Sequence, residues 1–90
     1  MNILCTPLYE KQLKIILEDY TNEDKQATKS FKLYLDTIII NIPTKANKYK
    51  KSIYFDDENI KDIEHENVTI TFFIDNENEN YLMLSIIKNS

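Results

Sequence analysis

The sequence predicts an α+β fold: an N-terminal strand, an antiparallel helical hairpin, and a small twisted antiparallel β-sheet on which the hairpin packs. Three observations carry this reading. Apolar residues recur at spacings of three and four through the first half of the chain, the period of helices that bury one face. In the second half the period changes to two, in Val68, Ile70, Phe72 and Ile74 set between Thr69, Thr71 and Phe73. The chain has 90 residues, 42% hydrophobic and 29% charged, the balance of one soluble folded domain over 1–90 rather than of a disordered segment.

The elements follow in order. Residues 1–5 form a short apolar run, read as the first strand, and Cys5 within it reads as a buried structural thiol. Thr6-Pro7 signals a helix start: threonine caps, and proline at the first helical position loses no hydrogen bond. Tyr9, Leu13, Ile16, Leu17 and Tyr20 make the stripe of this helix. Thr21 is expected to cap a second helix, with Glu23 and Asp24 in its first turn. Ala27, Phe31, Leu35, Ile38 and Ile42 make its stripe, and Pro43 is expected to end it at Ile42. A long connection over 44–59 contains Ile53, Tyr54 and Phe55, read as a short strand or an anchor. Strands are expected over 60–64, 68–74 and 81–88, the last two joined as a hairpin by the polar turn D-N-E-N-E-N.

Composition excludes several classes of function. Without glycine there is no phosphate-binding loop, dinucleotide fingerprint or nucleophile elbow, each of which needs close backbone approach or positive φ. One cysteine and one histidine give no intrachain disulfide and no Cys-based or multi-His metal site, so no metal and no cofactor is expected. Ten asparagines are expected to supply turns where glycine is missing. No apolar run is long enough to span a bilayer and the opening residues do not resemble a signal peptide, so the expected location is the cytoplasm, with no membrane partner. Charge is segregated: residues 1–24 carry −3, residues 25–55 carry +6 and residues 56–90 carry −7, all the positive charge being lysine.

The ordered set of landmarks resembles the RelE/ParE superfamily of bacterial toxin–antitoxin toxins over nearly the whole chain. Helix two ends in I-P and is followed by T-K-A-N-K-Y-K-K, similar to that family's helix–Pro–basic loop. N-I-K-D-I-E-H-E-N-V-T-I-T-F-F-I-D resembles its central hairpin, and Y-L-M-L-S-I-I-K its hydrophobic final strand. The resemblance implies a small cytoplasmic toxin restrained by a cognate antitoxin protein. Many members cut mRNA on the ribosome, whereas ParE-like members poison DNA gyrase, and a third outcome is a non-toxic relative that only binds a partner. The ribonuclease pattern places one arginine in a Y-R-x-x-Y stretch and another after the final strand. Here V-T-I-T-F puts Thr69 at the first position, and Lys88 and Asn89 stand at the second. Lysine lacks the bidentate fork with which arginine grips a phosphate.

Several residues are candidates for chemistry. Lys45, Lys48, Lys50 and Lys51, interleaved with Tyr49 and Tyr54, can meet phosphates and stack on a base, or can form a solvated loop. Lys50, Lys51, His65 and Lys88 are the catalytic candidates under a nuclease reading, Lys88 and Tyr81 by their place on the final strand. An imidazole suits acid–base work, and Glu64 and Glu66 flank His65, although E-H-E also reads as an ordinary exposed turn. Asp56, Asp57 and Glu58 can hold a hard cation or offset the lysines before them.

The charge map carries a prediction about the antitoxin. An acidic docking segment favours residues 25–55, and its affinity is expected to fall steeply with added salt in a titration series. Affinity that does not change with salt would instead assign the docking to apolar contacts.

Overall fold

The computed structural model describes residues 2–65 and 67–89. Strand β1 (Asn2–Cys5) leads into helices α1 (Pro7–Glu23) and α2 (Lys25–Lys45), followed by a 3-10 turn at Ala46–Lys48. Strands β2 (Lys50–Lys51), β3 (Ile60–His65), β4 (Val68–Asp75) and β5 (Asn80–Lys88) complete the chain. The five strands lie in the order β1-β5-β4-β3-β2. The sheet is mixed rather than wholly antiparallel: β2 to β5 form an antiparallel meander, and β1 runs parallel to β5 at the far edge.

Helix α1 starts as the sequence predicts. Thr6 is extended, its hydroxyl accepts the Tyr9 N–H at 3.1 Å, and Pro7 occupies the first turn. The same residue fastens the helix to the sheet. The Thr6 N–H donates to the Met83 carbonyl and its hydroxyl to the Leu84 carbonyl, both at 3.0 Å. Leu84 is an extra residue in β5, because Thr71 pairs with Ser85 while Phe72 pairs with Met83. The Met83 bond continues the β1–β5 ladder, and the bulge residue Leu84 adds a second carbonyl that the Thr6 hydroxyl takes up. One turn later, the Gln12 side-chain oxygen accepts the Ile86 N–H at 3.0 Å.

The helix ends differ from the sequence expectations. Nothing in Thr21-Asn22-Glu23 breaks a helix, so α1 runs to Glu23 and Thr21 is no cap: its hydroxyl donates to the Leu17 carbonyl at 2.8 Å. Asp24 alone joins the helices. Its N–H closes α1 on the Tyr20 carbonyl, and its carboxylate caps α2 through the Gln26 N–H at 2.9 Å. Pro43 does not stop α2, which continues to Lys45 with the proline inside it. A proline removes its own N–H bond and crowds the carbonyl four residues back, here that of Ile39. The closing bond of the helix, Ala46 N–H to the Ile42 carbonyl, is made beyond the proline, and Ile42 and Ala46 are buried at 0% and 4% exposure.

The core lies between hairpin and sheet. Tyr9, Ile16, Phe31, Leu35 and Ile42 meet Ile63, Val68, Ile70, Phe72, Met83 and Ile86. Strand β4 is covered on both faces as far as Phe72, where the alternation predicted a half-buried strand, since Thr69 and Thr71 are also buried. Cys5, expected to be buried, is exposed because β1 is an edge strand. Burial and then the nearby Glu10 carboxylate still push its thiol pKa up. Among the described residues the one left-handed backbone belongs to Glu79 (φ 55°), not to an asparagine. Its carbonyl accepts the Asn2 N–H at 3.0 Å, so this turn conformation also secures the first strand.

Thr6→Ala removes both the cap and the bond to the bulge. It is expected to lower unfolding free energy by about 1–2 kcal/mol in urea titration, while Thr6→Ser restores most of the loss.

Candidate functional site

Two adjacent rows of the sheet sort the candidate residues. In one, His65 pairs with Val68 and Val68 with Lys88. In the next, Glu64 pairs with Thr69 and Thr69 with Ile87. Successive strand residues point to opposite faces, so the two rows face opposite ways. The first row lies under the hairpin: the His65 ring is 5.4 Å from that of Tyr34 on α2, and the Lys88 ammonium stands 5.0 Å from the Tyr20 ring on α1. The second row faces an open groove.

That groove has a volume of about 480 Å³ and is lined by Lys48, Tyr49, Lys50, Lys51, Ile53, Tyr54, Asp62, Glu64 and Thr69. It gathers five of the candidates, Lys48, Tyr49, Lys50, Lys51 and Tyr54. His65 and Lys88 lie on the other face, and Lys45 stands exposed in the last turn of α2. His65 is not in an exposed turn but at the end of β3, where Glu64 points away from it; Glu66 lies outside the described residues. Tyr81, buried at 7% exposure, is part of the core. A wider depression of about 740 Å³ runs along α1 over Leu13 and Leu17, with no candidate residue in it.

Carboxylates offset much of the positive charge of the groove. Lys50 lies directly across from Asp62, whose carboxylate is held by the Thr71 hydroxyl at 2.7 Å. Lys51 reaches Asp56 at 3.2 Å and Glu58 at 3.6 Å, so these two acids offset a lysine, the second of the two expectations for them. Tyr49 sets its ring edge-on to Phe72 at 5.9 Å, and burial pushes its hydroxyl pKa up. At the floor, Thr69 exchanges hydrogen bonds with the Asn89 side chain at 3.0 and 3.3 Å. The two positions at which the ribonuclease pattern carries arginine therefore include a neutral pair bonded to each other.

Asp62 and Glu64 are groove residues that sequence reasoning did not single out for chemistry. The alternation of β3 places Asp62 and Glu64 on one face once the strand is recognised. The resemblance sets Thr69 and Asn89 at arginine positions, but their contact with each other depends on β5 returning beside β4. Ile53, Tyr54 and Phe55 form no strand; the two-residue β2 comes earlier, and all three side chains are exposed in the loop that follows it.

No family model and no curated protein matches the chain. Among solved structures, it is similar over its full length to a chain described as "Chromosomal ParDE TA system from P. aeruginosa", with a TM-score of 0.73, 14% identity and 97% of that chain covered. The α+β fold, β-α-α followed by a four-strand meander, is thus one seen in a ParDE system, in agreement with the RelE/ParE resemblance of the sequence. Among the described residues no helix is long and apolar enough to cross a membrane.

The ion pairs at Lys51 set a pH dependence. The hydrogen bond to Asp56, followed by the charge of Glu58, outweighs desolvation and raises the Lys51 pKa. The contribution of the clamp is complete below the pKa of an unfolded lysine and is lost as pH rises through the higher folded value. An NMR titration of the Lys51 side chain is expected to give a midpoint above the usual lysine range, and Asp56→Asn to move it down.

Proposed function

We propose that the chain is the toxin component of a bacterial toxin–antitoxin pair and that it acts by binding a protein target rather than by cutting mRNA. A cognate antitoxin protein holds it in check, and DNA gyrase is the target that the ParE-like side of the resemblance implies. The toxin half of this reading is supported by the order of motifs and by the fold shared with the ParDE chain. Exposed Leu33 and Ile40 on α2, in company with Lys29 and Lys32, offer an antitoxin segment both apolar and basic contacts.

The observation that carries the second half is the neutral Thr69–Asn89 pair, of which Thr69 lines the groove. Cutting a phosphodiester requires a base for the 2′-hydroxyl, an acid for the leaving oxygen and donors for the charged phosphate. Thr69 is neutral and bonded to Asn89, Asp62 and Glu64 line the same groove, and His65 and Lys88 are on the far face. A protein-directed toxin needs none of these groups. Ribosome-dependent mRNA cleavage is the second reading, and Lys48, Lys50 and Tyr54 favour it, since together they can meet phosphates and stack on a base.

Induced expression of the chain alone in a bacterial host tests the proposal. The expected outcome is growth arrest with intact mRNA and relaxed or broken DNA, retained in His65→Gln and Lys88→Gln. Cleaved mRNA that disappears with Lys50→Ala would replace this reading with the nuclease. Normal growth with folded protein would leave a relative that only binds a partner.

A further inference from the structure

Ile53, Tyr54 and Phe55, at the tip of the loop between β2 and β3, are 84%, 66% and 46% exposed. Single exposed apolar residues are ordinary, but three large ones in succession form a patch of the kind that marks an interaction site.

The loop that carries them is fastened on both sides. Ser52 at its base is 2% exposed, its N–H donates to the Ile60 carbonyl at 2.7 Å, and its hydroxyl accepts the Tyr54 N–H at 3.3 Å. Lys51 spans the loop to Asp56 and Glu58. Beyond the tip, the Asp57 carbonyl accepts the Ile60 N–H at 3.1 Å and its carboxylate the Asn59 N–H at 2.8 Å. The Asn59 carbonyl then accepts the Ile74 N–H of β4, also at 2.8 Å. The apolar tip is therefore held in shape before any partner arrives, which lowers the ordering cost of binding.

We infer that this tip is the anchor by which the chain seizes its protein target. Ile53, Tyr54 and Phe55 enter an apolar pocket on the partner, and the rim of that pocket is acidic where it meets Lys48 and Lys50 on the groove side of the tip. This inference rests on the protein-directed reading above. Protein is favoured over single-stranded nucleic acid for two reasons. The most exposed of the three side chains is Ile53, which is aliphatic and cannot stack on a base. Asp56, Asp57 and Glu58 follow the tip directly and repel phosphates.

The test is expression of Ile53→Ser, Tyr54→Ser and Tyr54→Phe beside the unaltered chain, with folding checked by melting temperature, toxin level by immunoblot, and mRNA integrity in each culture. Ile53→Ser and Tyr54→Ser are each expected to raise the toxin level needed for half-maximal arrest about 30-fold, the scale of a lost interface hot spot. Tyr54→Phe keeps the apolar ring and is expected to arrest growth at a toxin level well below the one Tyr54→Ser requires. A folded Ile53→Ser that arrests at the unaltered level overturns the anchor and leaves the toxin reading standing. Loss in Tyr54→Ser but not in Ile53→Ser, with mRNA cut by the unaltered chain, assigns the tip to nucleic acid and overturns the anchor. An unaltered chain that never arrests growth overturns the toxin reading and the anchor with it.

Discussion

The joint between the start of α1 and the bulge in β5 holds the rest of the molecule in place. A bulge leaves backbone groups that the neighbouring strand does not satisfy, and such groups are costly to bury unpaired. Thr6 meets two carbonyls there, Met83 and Leu84, while its hydroxyl also receives the N–H of Tyr9. Gln12 takes the N–H of Ile86 one turn further on. With α1 tied at these points, the hairpin lies over one face of the sheet, and β1 is carried alongside β5 in parallel.

Covering one face decides which side chains can act. Residues adjacent in sequence part company: Glu64 lines the groove while His65 packs against Tyr34, and Lys88 rests over Tyr20 while Asn89 reaches Thr69. A constellation that reads as contiguous along the chain is thus divided between the two sides of a sheet. What remains on the open side is a groove whose lysines face carboxylates and whose floor is held by neutral hydrogen bonds. The net charge of residues 25–55 is +6, yet Lys51 pairs with Asp56 and Glu58, and Lys50 lies across the strands from Asp62. Segment charge alone is therefore a poor guide to the field in the groove, because the fold brings the acidic third of the chain beside the basic one.

The helix and strand content was open to reading because it rests on local rules. Thr6-Pro7 starts a helix wherever it falls, stripes at three and four demand a helix, and alternation at 68–74 demands a strand. The positions of Tyr9, Ile16, Phe31, Leu35 and Ile42 in the core follow from those periods. The local rules erred where two of them competed. Thr21 and Asp24 both qualify as caps, and the helix continued to the one followed by free N–H groups within reach. Pro43 is a helix breaker by rule, yet the helix continues past it to the buried Ala46, which closes on the buried Ile42.

The sequence by itself determined the fold class, the order of the elements and most of the core, since each depends on residues within a few positions of one another. Tertiary structure alone decided that Cys5 lies on an edge, that Thr69 and Thr71 are covered, and that Asn89 closes on Thr69. It also decided that His65 and Lys88 are separated from Lys50 and Lys51. These are matters of register and strand order, set by contacts between residues far apart in the chain. A one-residue shift such as the bulge at Leu84 reverses which face every later side chain of β5 occupies, and no local pattern announces it.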